Sequence, residues 1–221
     1  MGAEWSEAAA TAFATFFVII DPLGLTPVFL ALTSHMRASE RRKTAVNAVV
    51  LGFSILTIFA FFGESVLSFL GISLPAFRIA GGILLFFMAL EMLFEKRSER
   101  RRKNAESAAS GQEAESEAGD DLWVFPLGIP LIAGPGAITS VILLMGAHAG
   151  QPLSQAIIIA VLAGVLGLSL LFFLLVTRLG HLLSETATRA ISRILGMILA
   201  ALAVQFVITG LKTAGFALGG G

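Results

Sequence analysis

Two stretches of this 221-residue chain combine residue types that can hold a small charged molecule without any catalytic group. The first is Ile20-Asp21-Pro22-Leu23-Gly24-Leu25-Thr26-Pro27, and the second is Ile132-Ala133-Gly134-Pro135-Gly136-Ala137-Ile138-Thr139. Proline lacks the amide hydrogen and clashes with the turn before it, yet it suits the first position of a helix, where that hydrogen has no partner. Thr26-Pro27 and Gly134-Pro135 therefore read as a cap followed by the start of a half-helix, with Asp21-Pro22 as an alternative start in the first stretch. The free amides of such a start carry partial positive charge and suit a carboxylate. Asp21 is the acidic group deep in its apolar segment and suits an ammonium group or a coupling cation. Gly24, Gly134 and Gly136 let backbone approach a ligand closely. The candidate binding set is thus Asp21, Gly24, Thr26, Gly134, Gly136 and Thr139, and the chemistry is reversible binding of a small zwitterion. Two plainer readings stand beside it: Asp21 can cap a half-helix, and proline-glycine kinks occur in membrane helices without ligands.

The elements that must position these residues are membrane spans. The chain is 56% hydrophobic and 14% charged, against about 25% charged in soluble domains. Its mean hydropathy is +0.88. A spanning helix needs about 20 mostly apolar residues, and six stretches qualify: Ala8 to Leu32, Ala45 to Phe62, Ala76 to Phe94, Trp123 to Met145, Leu153 to Val176 and Ala190 to Leu211. The first is not read as a secretory signal, because its leader carries Glu4 and Glu7 where a signal is basic. The fold class expected is an all-α integral membrane protein whose first and fourth spans are discontinuous.

Charge fixes orientation and divides the chain. Thirteen of the 15 basic residues fall on one side, in Arg37 to Lys43, in Lys96 to Lys103, and at Arg178, Arg189 and Arg193, whereas Arg78 and Lys212 fall on the other. Basic loops are retained in the cytoplasm, so both termini are expected outside. Residues 95–122, basic and then acidic and too polar to bury a core, read as a disordered cytoplasmic linker between a first half, 1–94, and a second half, 123–221. The halves repeat weakly. A shift of 113 places Pro22 on Pro135 and Thr26 on Thr139, and a shift of 115 places Arg78, Ile79 and Gly81 on Arg193, Ile194 and Gly196. Three spans per half make the second enter the membrane from the opposite side, which is an inverted repeat of the kind secondary transporters use. The remaining glycines, Gly81, Gly82, Gly164, Gly167 and Gly196, read as close helix contacts, Gln205 as a bond to a neighbouring helix, and Arg78 and Arg193 as interfacial anchors.

Several classes drop out. The chain has no cysteine, so thiol nucleophiles and cysteine metal sites are absent. No basic patch with interleaved aromatics suggests nucleic acid. The three histidines fall in predicted loops, no H-E-x-x-H occurs, and Asp21 has no second deep aspartate, so no enzyme is expected. No G-x-x-x-x-G-K loop is present, so nucleotide hydrolysis drives nothing here. No cofactor is expected; a proton or sodium ion remains open as coupling ion, and a channel-like or accessory membrane protein remains the rival to a carrier.

The Asp-Pro-x-Gly-x-x-Pro interruption at Asp21 to Pro27, the run Phe125-Pro126-Leu127 to Ile129-Pro130-Leu131 followed by Ala133 to Thr139, and Ala80-Gly81-Gly82-Ile83-Leu84 together resemble the MarC family of bacterial and archaeal inner-membrane proteins, which includes the SnatA small neutral amino acid transporters. The resemblance covers nearly all of the chain outside the linker. It implies a six-span inner-membrane protein of two repeats and a role with glycine- or alanine-sized amino acids. One common family variant carries Asn-x-x-Pro after the first Asp-Pro-x-Gly, where this chain has Leu25-Thr26-Pro27, which implies a different specificity if that position touches the ligand.

Overall fold

The apolar runs become helix, and in the first of them proline cuts the run in two. In the structure, a computed structural model, residues 2–34, 36–94, 132–179 and 185–216 are described. Among them lie α1 (Gly2–Ile20), α2 (Pro22–Leu32), α3 (Ala38–Phe69), α4 (Leu74–Leu93), α5 (Pro135–Ala147), α6 (Pro152–Leu179) and α7 (Glu185–Thr213), with no strand among the described residues. Arg37 precedes α3, and its backbone amide donates to the Glu40 carboxylate at 3.0 Å. Ser73 caps α4 by accepting from the Ala76 amide. Gly71, at φ +72°, takes the left-handed turn between α3 and α4 that a residue with a Cβ would resist.

Five helical runs are long and apolar enough to cross a membrane: Trp5–Leu32, which is α1 and α2 together, Ala38–Phe69, Leu74–Leu93, Pro152–Leu175 and Ala190–Thr213. Of the sixth expected span, Trp123 to Met145, the described part is the 13-residue α5 with the three residues before it; the rest, like residues 95–122, lies outside the described residues. α3 is longer than the expected Ala45 to Phe62. Its ends run past Lys43 and Glu64, because charged side chains at a membrane interface end the apolar stretch without ending the helix.

Burial ranks the helices. In the first run 72% of the most apolar window is buried, against 22–33% in the other four, so α1 and α2 occupy the centre. α5 joins them: every residue from Thr139 to Met145 is buried, which covers the helix on all sides. The others turn Phe61, Phe62, Phe69, Phe87 and Ile194 outward, as lipid-facing helices do.

Close approaches at glycine give the packing directions. A side chain at Gly52 would overlap Ile132 and one at Gly63 would overlap Ile142, so α3 and the segment leading into α5 run in the same direction. Gly136 lies against Met88, Gly81 against Thr139, and Gly146 against Leu74, so α4 and α5 are antiparallel. Gly82 lies against Ala203, Gly196 against Met92, and Gly210 against Pro75, so α4 and α7 are antiparallel along their full length. The half-helix α2 packs on α6, where Phe29 and Phe173 stack at 4.5 Å. Gly164 and Gly167, expected at helix contacts, have nothing within 4 Å of a built Cβ and face outward. Gln205 bonds to Thr209 in its own helix, at 3.3 Å, and not to a neighbour.

Candidate functional site

The first break falls at Asp21. Its backbone is left-handed, with φ 53° and ψ 67°, the one non-glycine positive φ among the described residues. Its amide still donates to Phe17 O at 3.0 Å, completing α1. Pro22, at the first position of α2, has no amide to continue the ladder. The Gly24 amide turns to the Asp21 carboxylate, at 3.1 Å, and the Leu25 amide makes the first intrahelical bond of α2, to Asp21 O at 3.0 Å. Of the two starts the sequence allows, the chain takes the one at Asp21-Pro22. Thr26 is not a cap: it is helical and fully buried, and its hydroxyl donates to Pro22 O at 2.7 Å. Pro27 sits inside α2 with its ring toward the outside of the fold.

The start of α5 uses proline in the same way, with an extended cap in place of the left-handed one; the segment before residue 132 lies outside the described residues. Gly134 is extended, with φ −75° and ψ 168°, Pro135 takes the first helical position, and the Ile138 amide makes the first bond of α5, to Gly134 O at 3.0 Å. The cap and proline of α5 lie 113 positions after those of α2, the shift at which the two stretches align. The residue types differ at the cap itself, where Asp21 satisfies an amide of its own helix and Gly134 has no side chain to do so.

One contact places the start of α5 along α3, and one hydrogen-bonded tie joins α2 to α3. Ile132 meets Gly52, which is near the middle of the 32-residue α3. At the other end of α2, the Arg41 guanidinium donates to Thr33 O at 3.1 and 2.8 Å and so ties the end of α2 to the start of α3. Twelve residues at about 1.5 Å each separate Thr33 from Asp21, and the same rise along α3 from Arg41 ends at Phe53. Ile132, just before the α5 start, thus stands halfway along the longest helix, and Asp21 lies one length of α2 away from the Arg41 tie.

The six residues singled out from sequence are divided in role. Asp21 is 3% exposed and caps α2. A Cβ at Gly24 would overlap the Asp21 carboxylate, so the space at Gly24 is taken by that cap. A Cβ at Gly136 would meet the Met88 sulfur at 2.5 Å, so Gly136 seats α4. Thr139 is buried against Gly81. Ile19, Ile20 and Asp21 each have a further interaction within the chain. The structure brings Asp21, Gly24 and Thr26 together at one break and Gly134, Gly136 and Thr139 at the other.

Apart from Thr26 and Thr139, the hydroxyl groups inside the helices were not singled out from sequence. Thr26, Thr33, Ser54 and Ser169 each return their hydroxyl to the carbonyl four residues earlier. Thr15, Thr57 and Ser140 have buried hydroxyl oxygens and no hydrogen-bond partner. Ser140 is one turn beyond Gly136, so an unpartnered hydroxyl able to meet a polar ligand stands near the start of α5, whereas Thr57 lies well round α3 from the face that Gly52 and Gly63 share. A sequence signal was available only as hydroxyls inside apolar runs, which does not tell a back-bonded hydroxyl from an open one. A cavity of about 470 Å³ lies elsewhere, between the first turns of α3 and the last turns of α6, lined by Ser39, Arg41, Arg42, Leu171, Phe173 and Leu174 among others.

Comparison with known proteins agrees with this architecture. YvbG, a UPF0056 membrane protein of Bacillus subtilis, is 36% identical over 200 residues, covering 90% of this chain and 92% of its own. YhcE of Escherichia coli, a UPF0056 membrane protein, is 34% identical and covers 90% of each chain. YhgN of Escherichia coli, a UPF0056 inner membrane protein, is 30% identical over 195 residues, covering 88% of this chain and 91% of its own. No solved structure matches. The profile of MarC family integral membrane proteins matches residues 6–215, nearly the whole chain, and the protein therefore belongs to the MarC family.

Proposed function

We propose that this protein is a secondary carrier of small neutral amino acids of glycine or alanine size in the inner membrane, working by alternating access of two inverted three-helix halves, with six spans and both termini outside. The observation that carries the reading is the pair of proline-led helix starts, Asp21-Pro22 and Gly134-Pro135, 113 positions apart as the two stretches align, in the most buried helices. Interrupted backbone at membrane depth is tolerated where it is enclosed by protein or lines a polar cavity. Paired interruptions near the midplane are how many carriers build a substrate site. The antiparallel course of α4 and α7, the third helices of the two halves, supports inversion, and so do the paired packings of α2 on α6 and α3 on α5. The printed name of YhgN supports an inner-membrane location.

In this reading the amides opening α5, which Gly134 leaves without a side-chain cap, receive the substrate carboxylate. Asp21 faces the ammonium group or a coupling cation, and its cap to Gly24 holds the carboxylate in place between transport cycles. Carrier is preferred to channel because α1, α2 and α5 are the most buried helices and close packing fills the space between them, so access from either face requires movement. Labelled glycine or alanine in vesicles reconstituted with the purified protein tests this. A carrier gives saturable uptake accelerated by unlabelled substrate on the far side. Uptake linear in concentration, with no acceleration, would refute it in favour of a channel, and no uptake of either amino acid would refute the substrate class.

A further inference from the structure

We propose that Arg78 is an anion-receiving residue, placed to take the carboxylate of a small solute at the end of the bundle remote from the basic segment Arg37 to Lys43. This deepens the carrier reading above and rests on it. Arg78 is not on the surface of α4: it continues the buried stripe Arg78, Gly81, Gly82, Leu85, Ala89 and Met92, and it is 9% exposed. None of the hydrogen bonds or ion pairs among the described residues involves it. A guanidinium keeps its charge under all ordinary conditions, so burial does not remove the need for a counter-charge.

Its surroundings sharpen that need. Arg78 is the fifth residue of α4, near a helix start whose partial positive charge opposes a cation. Leu74 meets Gly146, and Gly81 meets Thr139 and Leu143, which sets Arg78 beside the last turns of α5. The carbonyls ending α5 turn partial negative charge toward it, yet they accept hydrogen bonds from their own turn and none from Arg78. Leu144 O accepts from His148 Nδ1 at 2.9 Å, Met145 O from the His148 amide at 3.1 Å, and Gly146 O from the Ala149 amide at 3.3 Å. On the other flank a Cβ at Gly210 of α7 would overlap the Ile79 side chain and crowd Pro75 O. Arg78 is therefore a cation between three helix segments with no acceptor on it among the described residues and with guanidinium nitrogens that are not sealed from the outside, so that one carboxylate can reach and be held by its fork.

The position also fits a route. Interpolating between those contacts sets Arg78 level with residue 142 of α5, about 12 Å along the axis from the Gly134 cap. That distance is too long for one glycine molecule to touch both, so Arg78 serves as a first station, before the carboxylate reaches the free amides of α5. The repeat-equivalent residue, Arg193, is exposed and has an interaction within the chain, so the two ends of the route are unlike.

The test uses the purified full chain in detergent, with acetate, glycine and glycinamide as probes and the thermal unfolding midpoint as the readout. Acetate and glycine should raise the midpoint of the native protein, and glycinamide, which lacks the carboxylate, should not. Arg78→Met removes the charge at similar volume. It should leave the empty protein as stable as before or more so, while weakening acetate and glycine binding from ten-fold to over a hundred-fold. In vesicles the same variant should raise KM for glycine by a similar factor, with a much smaller change in kcat. Arg78→Lys keeps the charge and loses the fork, and should weaken acetate binding several-fold; it also carries the test if Arg78→Met does not fold. Unchanged acetate binding in either folded variant overturns the proposal. So does a native midpoint that responds to phosphatidylglycerol and not to acetate, since the anion would then be a lipid phosphate. Acetate binding that depends on Arg78, in a native protein that moves no glycine, sustains the anion site and refutes the carrier.

Discussion

Gly24→Ala is a one-methyl change whose effect should depend on a residue three positions away. The methyl would occupy the place of the Asp21 carboxylate, whose atoms are the three nearest to it, so that carboxylate must leave the Gly24 amide. Loss of a side-chain cap costs about 0.5–2 kcal/mol. A buried charged group left short of a hydrogen bond costs about 1–3 kcal/mol more. Alanine is favoured over glycine within a helix by about 1 kcal/mol, which offsets part of this. The expected net destabilisation is about 0.5–4 kcal/mol, centred near 2. In an Asp21→Gly background the sign should reverse. There is then no carboxylate to displace, glycine takes the left-handed backbone at position 21 without strain, and the alanine is left with its helix preference, stabilising by up to about 1 kcal/mol. Unfolding of the four proteins in mixed micelles with increasing denaturing detergent, followed by circular dichroism, closes the cycle. A coupling near 2 kcal/mol or more is expected, and an equal effect of Gly24→Ala in both backgrounds would refute the claim that Gly24 exists to make room for the cap.

Three further predictions follow from the packing and the charge pattern. Gly82→Ala should destabilise by about 1–3 kcal/mol, because the new methyl lies 2.8 Å from the Ala203 backbone oxygen, which cannot move aside, whereas Gly164→Ala and Gly167→Ala should be neutral or slightly stabilising in the same unfolding assay. Gly136→Ala meets the flexible end of Met88, so pairing it with Met88→Ala should restore part of the lost stability, and failure of that rescue would mean that Gly136 is needed for something other than helix contact. A reporter inserted between Ser107 and Asp121 should score cytoplasmic and one at the carboxyl terminus external; a cytoplasmic carboxyl terminus would remove the inverted arrangement.

The breaks were legible because proline leaves a local signature: Asp21-Pro22 and Gly134-Pro135 can start a helix and cannot continue one. Which of two prolines acts was not legible. Pro22 and Pro27 both meet the local rule, and the choice rests on the Asp21 side chain reaching the Gly24 amide, a three-residue geometry that residue types alone leave open. Helix lengths were read short, since hydropathy stops at Lys43 while the backbone ladder continues through it. Glycines were the least legible. Gly82 and Gly164 sit in similar apolar runs, yet one touches a backbone oxygen of another helix and the other faces outward, because contact is set by which face of the helix is turned inward. Arg78 was read as an anchor for the same reason: its position near a helix end is visible in sequence, but its place on the buried stripe is not.

The enclosure of α5 constrains the order in which the chain can be assembled. At 13 residues α5 is about 20 Å long, too short to cross the apolar layer alone, and it is shielded on every side in the finished fold. Its neighbours α1, α3 and α4 all precede it in the chain. When synthesis delivers α5, the walls that receive it are already in the bilayer, and α6 then adds a further contact while α7 locks onto α4 along its full length. Vectorial synthesis thus builds the enclosure before its occupant. A circularly permuted chain that begins with the second half would present α5 to lipid with no cradle waiting, and should accumulate as a protease-sensitive, partly inserted species even though every native contact remains available to it.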